Sequence, residues 1–169
     1  MIQEHLWKQW YRTKYHSIYL ELLLAHDERL DRYMKMFLAI VSSGSIAGWA
    51  VWKEAQFIWA LLIAASQVIN AVRQFLPYRE RMKALSALSR ELEELAIHME
   101  IKWLEISIGE LTEKEMRKLY ADMLIKTSSA AQKHFPNNSV PRIDKLMRKA
   151  ETDAKAYLSI HITGGESGE

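Results

Sequence analysis

Helical spacing runs through almost the whole chain. Apolar residues recur at Leu6, Trp10, Tyr15, Ile18 and Leu22, the period of one helix face, and predict an amphipathic helix over residues 2–32. From 79 to 108 a seam of Leu85, Leu88, Leu92, Leu95 and Met99 continues through Trp103 and Ile106. Its steps of three and four predict a long helix packed on another helix. Gly109 suits its end. Thr112 followed by Glu115 reads as a capping box that starts the next helix, which Pro136-Asn137-Asn138 stops. Pro141 suits the first turn of a last helix, 141–160. No segment alternates with period two, so the expected class is all-α.

The middle of the chain differs. Met36–Trp52 is 17 residues without a charge and Ala55–Val72 is 18, interrupted only by Lys53 and Glu54. A membrane span needs roughly 17–25 apolar residues, whereas a helix at a water-facing surface keeps a polar stripe. A soluble core could bury two such helices. The flanks favour a membrane hairpin over 33–78. Tyr33 to Trp52 and Trp59 to Tyr78 are each 19 steps apart, roughly 28 Å at helical rise, which bands aromatic rings at both interfaces. Arg29, Arg32, Lys35, Arg73, Arg79, Arg81 and Lys83 crowd the open end and only Lys53 the turn, which puts both termini in the cytoplasm. The expected organisation is an N-terminal amphipathic helix (1–32), a two-span transmembrane hairpin (33–78), a long cytoplasmic helix (79–111), a C-terminal helical region as candidate sensor (112–162) and a disordered tail (163–169).

Polar and small groups inside the hairpin are candidate working parts. Gly44 and Gly48 form a G-x-x-x-G, a spacing that lets helices approach. Ser42, Ser43 and Ser45 on the first span, and Ser66, Gln67, Asn70 and Gln74 on the second, are costly if exposed to lipid. They face a partner helix or line a water-filled path, and for Gln67 and Asn70 both roles stay open. Two helices enclose no pore, so conduction requires a homo-oligomer; a tetramer is favoured, with the 85–106 seam helping assembly.

Charge is segregated. The chain carries +2 overall, but residues 84–111 carry −4 and residues 112–155 carry +4. Arg142, Lys145, Arg148 and Lys149 form a basic face that could hold the phosphates of a nucleotide or short oligonucleotide; a solvated face or lipid-headgroup contact is the plainer alternative. Tyr120 and Phe135 could stack on a base, though a core role suits them better. Trp7, Trp10, Tyr11 and Tyr15 interleave with Lys8, Arg12 and Lys14, which suits a membrane interface or packing on the cytoplasmic helices, and marks them as gating candidates. Six scattered histidines, no cysteine and no nucleophile or phosphate-loop motif give no reason to expect an enzyme, a metal or a cofactor. His98 with Glu100, and the pair Glu93-Glu94, read as helix surface.

The stretch QVINAVRQFLPYRERMKALSALSRELEELAIHME (67–100) resembles the junction of SLATT-domain proteins: a second membrane helix ending near Gln74-Phe75-Leu76-Pro77, a basic turn, then a long amphipathic helix. HSIYLELLLAHDERLDRYMKMFLAIVSSGS (16–45) is similar in layout to the first span. Many relatives place a histidine after the basic turn where this chain reads Met82-Lys83-Ala84, so no role transfers there. The resemblance implies a bacterial anti-phage effector in the inner membrane, working beside a signal-producing nucleotidyltransferase-type enzyme and opening a pore that depolarises the infected cell. A soluble helical adaptor, binding a partner through the aromatic N-terminal helix, is the rival expectation.

Overall fold

The computed structural model describes residues 2–51, 56–75, 78–136 and 140–163. Side chains at 42–51, 56, 59, 72–75, 78 and 161–163 also lie outside that description. The described residues form helices α1 (Ile2–Val51), α2 (Gln56–Phe75), α3 (Tyr78–Ser107), α4 (Glu113–His134) and α5 (Asp144–Thr163), with no strand among them. The chain is all-helical. It divides into two compact units, residues 1–24 with 83–169, and residues 25–82.

The first unit is built on the seam of α3. Leu85, Leu88, Leu92, Met99 and Ile106 are all buried, packed with Leu6, Trp10, Leu20 and Leu23 of α1, Met123 and Ala130 of α4, and Ala150 and Leu158 of α5. The expectation that this seam helps subunits assemble is therefore corrected: the chain's own helices occupy it. Trp7, Trp10 and Trp103 form a ring cluster with centroids 5.0–6.0 Å apart.

Polar groups are buried beside this core. The Lys14 ammonium donates to Glu93 Oε1 at 2.6 Å and lies 4.1 Å from the Tyr157 ring centroid. Ser17 Oγ donates to Glu93 Oε2 at 2.7 Å, and the Tyr157 hydroxyl donates to Glu100. Glu93 is thus no free surface acid, as its sequence neighbourhood suggested, but the acceptor joining α1 to α3. A buried cation left alone would be costly; pairing it with a carboxylate and a ring face makes its burial tolerable.

Helix ends follow local chemistry. Gly109, at φ 77, is the C′ residue of a Schellman turn, with Glu110 N–H on the Glu105 carbonyl at 3.0 Å and Gly109 N–H on that of Ile106 at 3.1 Å. Thr112 and Glu115 form the expected reciprocal capping box. The last helix begins at Asp144, three residues later than Pro141 suggested. The intervening backbone is claimed by a side chain: Tyr19 donates its hydroxyl proton to the Pro141 carbonyl and accepts the Ile143 N–H at 3.0 Å.

In the second unit, the 25–51 part of α1 and the whole of α2 are helical. The boundary expected at 32/33 falls inside α1, which is unbroken there. Among the described residues no helix is long and apolar enough to cross a membrane. The charge-free stretches run on into 42–51 and 72, and Lys53-Glu54 and the tail from Gly164 lie outside the described residues.

Burial pushes the Glu93 carboxyl up, but the bonds from Lys14 and Ser17 outweigh it, and it ends below its ordinary 4.5. A depressed carboxylate stabilises the fold above that value, and the benefit disappears as pH falls through its folded pKa. Glu93→Gln is expected to lower the thermal midpoint at pH 7, with the gap to the parent closing below pH 4.5; circular-dichroism melts across that range check it.

Candidate anion-binding groove

The first unit carries a groove of about 710 Å³, a size that suits a small organic ligand. Its first wall is α1, where Arg12, Tyr15, His16 and Tyr19 recur at one helix face. Leu124, Thr127, Ser128 and Ala131 of α4 repeat the same spacing on a second wall. Buried Leu20, Leu88 and Leu92 form an apolar base. Arg142, on the segment before α5, stands at its edge.

Tyr19 sets the position of Arg142. Its hydroxyl bridges Pro141 and Ile143, the residues on either side. Gln9 Nε2 reaches Thr127 Oγ1 at 3.4 Å and ties the two walls together. Tyr11, Tyr15 and Tyr19 stack along α1, with centroids 6.5 and 6.4 Å apart and planes within 16°.

The groove's electrostatics favour an anion. Arg12 and Arg142 contribute two cations, and none of the described lining residues is acidic. Burial, and then the Arg12 charge, hold His16 below its ordinary 6.5, so the ring enters neutral and gains a proton more readily once a negative group sits beside it. Burial, and then the neighbouring tyrosines and Glu151, push the Tyr15 phenol up; it stays a neutral hydroxyl. Two guanidiniums, a titratable imidazole, hydroxyls and an aromatic face above an apolar base can hold a phosphorylated ligand with a flat apolar part.

The expected site residues divide. Arg142 lines the groove; Lys145, Arg148 and Lys149 are exposed on α5 and are not among its described lining. Tyr15 faces the groove, whereas Trp10 is fully buried and Trp7 and Tyr11 pack on the same core. Tyr120 and Phe135 pack against the two core clusters. In the second unit, Gln67, Asn70 and Ser66 of α2 line a cavity of about 480 Å³ with Leu38, Ala39 and Val41 of α1. Ser66 Oγ returns its proton to the Ile63 carbonyl at 2.7 Å. Ser42, Gly44, Ser45 and Gly48 lie on α1 and Gln74 on α2, with side chains outside the described set.

Sequence reasoning missed Arg12, His16, Thr127 and Ser128 as partners of Arg142. Arg12 and His16 do share a face with Tyr15 and Tyr19, and that i, i+4 pairing was a visible signal. No protein-family model, curated protein or solved structure matches the chain.

With ATP as the probe, Arg142→Glu and Arg12→Glu are each expected to weaken binding by roughly 10–100-fold, the equivalent of one charge-assisted hydrogen bond. Tyr19→Phe, which alters no charge, should also weaken it by freeing the 141–143 segment. Isothermal titration of the three variants checks this; unchanged affinity in all three removes the groove as the site.

Proposed function

We propose that the chain is a two-span membrane effector of SLATT type, whose subunits assemble into an ion-conducting pore that an anionic nucleotide or oligonucleotide opens. The observation that carries the reading is the uncovered apolar surface of the second unit. Met36 and Ile40 on α1, and Phe57, Ile58, Leu61 and Val68 on α2, are all exposed, Phe57 by 80% and Ile40 by 66%. A monomer in water rarely leaves so many large apolar side chains bare on two neighbouring helices. Lipid chains solvate it at no cost. Helix α2, at 20 residues, is roughly 30 Å long, the thickness of a bilayer's hydrocarbon core, although among the described residues no helix is both long and apolar enough to cross it.

Gln67 and Asn70 then lie at membrane depth, on the cavity shared with α1. Polar groups there mark helix contacts or an ion path. The basic flanks put both termini in the cytoplasm of a bacterium, where the first unit meets a signal made by a nucleotidyltransferase-type partner. The groove is the receptor. A signal opens the pore only if it binds the open assembly more tightly than the closed one, and its energy for doing so comes from the contacts of Arg12, Arg142 and His16. Depolarisation of an infected cell is the expected outcome.

The adaptor reading needs the N-terminal aromatics free to dock, and Trp10 is fully buried in the chain's own core. That burial also favours the packed role for Trp7 and Tyr11 over an interfacial one at rest.

The full chain reconstituted in planar bilayers is expected to pass current, and Gln67→Leu with Asn70→Leu to lower the unit conductance. Arg12→Glu with Arg142→Glu should abolish response to nucleotide extract while leaving the protein in the membrane pellet. A chain that never conducts at any protein density overturns the pore.

A further inference from the structure

Gln9, on the α1 wall of the groove, is a carboxamide only 6% exposed. Thr127 fixes which way it is turned. The Thr127 hydroxyl gives its single proton to the Met123 carbonyl at 2.7 Å, so towards Gln9 it can only accept. Nε2 therefore lies on the Thr127 side, at 3.4 Å, and Oε1 is the end left over. Oε1 accepts from no described residue, yet it is not among the polar atoms sealed away from solvent. A buried amide oxygen is costly unless water or a ligand brings it a donor. Gln9 lines the groove, so the groove is where that donor arrives.

We propose that Gln9 reads the base of a nucleotide, an assignment that rests on the groove being the receptor, and that the groove selects bases carrying an N–H donor beside a ring-nitrogen acceptor, as adenine does. The 6-amino group of adenine donates to Oε1, and the neighbouring ring nitrogen accepts the second Nε2 proton. Carboxamides make this two-point pairing with adenine elsewhere, because their donor and acceptor match its edge. An ionised phosphate cannot take the same place: it offers only lone pairs, and Oε1 would face another acceptor.

The order of residues along α1 fits a ligand of that kind. Gln9, Arg12, His16 and Tyr19 follow one helix face at steps of three, four and three. Gln9 to Tyr19 is roughly 15 Å along the axis, and Tyr19 holds the segment that carries Arg142. A neutral amide therefore stands at one end of the row and Arg142 is held at the other, with Arg12 and His16 between them. A base edge at Gln9 leaves the phosphates to the guanidiniums, with the Tyr15 ring available for stacking. Selectivity comes from the penalty for a mismatch. A base without the N–H strips water from Oε1 and returns nothing, which costs more than a matched hydrogen bond gains.

Isothermal titration of the full-length protein in detergent tests this with two ligands, ATP and purine riboside triphosphate, which is ATP without the 6-amino group. The parent is expected to bind ATP at least about 10-fold more tightly. Gln9→Leu should bring the two affinities to within about twofold, since no amide oxygen is left to satisfy. Gln9→Met, closer in shape to the parent, takes its place if Gln9→Leu loses helical circular dichroism. Equal affinity of the parent for the two ligands, or an ATP preference that survives loss of the carboxamide, overturns Gln9 as the base reader and leaves the groove standing as a phosphate site. Binding of neither ligand, or ATP binding that ignores both Arg12→Glu and Arg142→Glu, removes the groove and the base reader with it.

Discussion

A helix without charge over more than four turns must be solvated by something other than water, and the rest of this molecule follows from how that demand is met. Within the second unit the two arms share one polar-lined cavity and leave much of their remaining apolar surface open. At about 25 cal/mol per Å², each large aliphatic side chain left in water forgoes roughly 1.5–3 kcal/mol of burial. On the proposed reading, acyl chains and neighbouring subunits would cover them. Gln67 and Asn70 line that cavity beside Leu38, Ala39 and Val41 of α1.

The first unit meets the opposite demand. Its helices are rich in charge, and their polar groups are spent on fixing one arrangement. Lys14 is buried between a carboxylate and an aromatic face, and Tyr19 holds both flanks of Arg142. These contacts place two arginines and a histidine of depressed basicity round one groove. A ligand that brings negative charge there meets preset donors and favours protonation of His16. On the aromatic N-terminal helix, Tyr15 and Tyr19 line the groove while Trp7 and Trp10 pack in the core.

Much of the fold was legible because its signals are local. The capping box at Thr112, the glycine stop at 109 and the 3–4 seam of α3 each depend on residues within one helix or turn, and all are present. The start of α5 was misjudged because a distant tyrosine takes the backbone groups that Pro141 suggested for a first turn. Glu93 read as surface because nothing near it in sequence announces Lys14 and Ser17. The groove was half legible: Arg142 was visible in a basic run, but its partners come from α1 and α4, and no spacing rule links two separate helices to the segment before α5. The periodicity of α3 was read once where it occurs twice. The buried seam faced inward, and the aliphatic row Ile97, Ile101, Leu104 and Ile108 lay hidden in the same helix at the other phase.

What surrounds the two arms decides between lipid and water, and a probe on them measures it directly. Single cysteines at Ile40 and Leu61, spin-labelled and reconstituted in lipid vesicles, report collision with oxygen, which concentrates in hydrocarbon, and with a water-soluble nickel complex, which does not. Both positions are expected to relax faster with oxygen than with nickel, while a label at Lys149 does the reverse. Nickel access at Ile40 and Leu61 equal to that at Lys149 would contradict it.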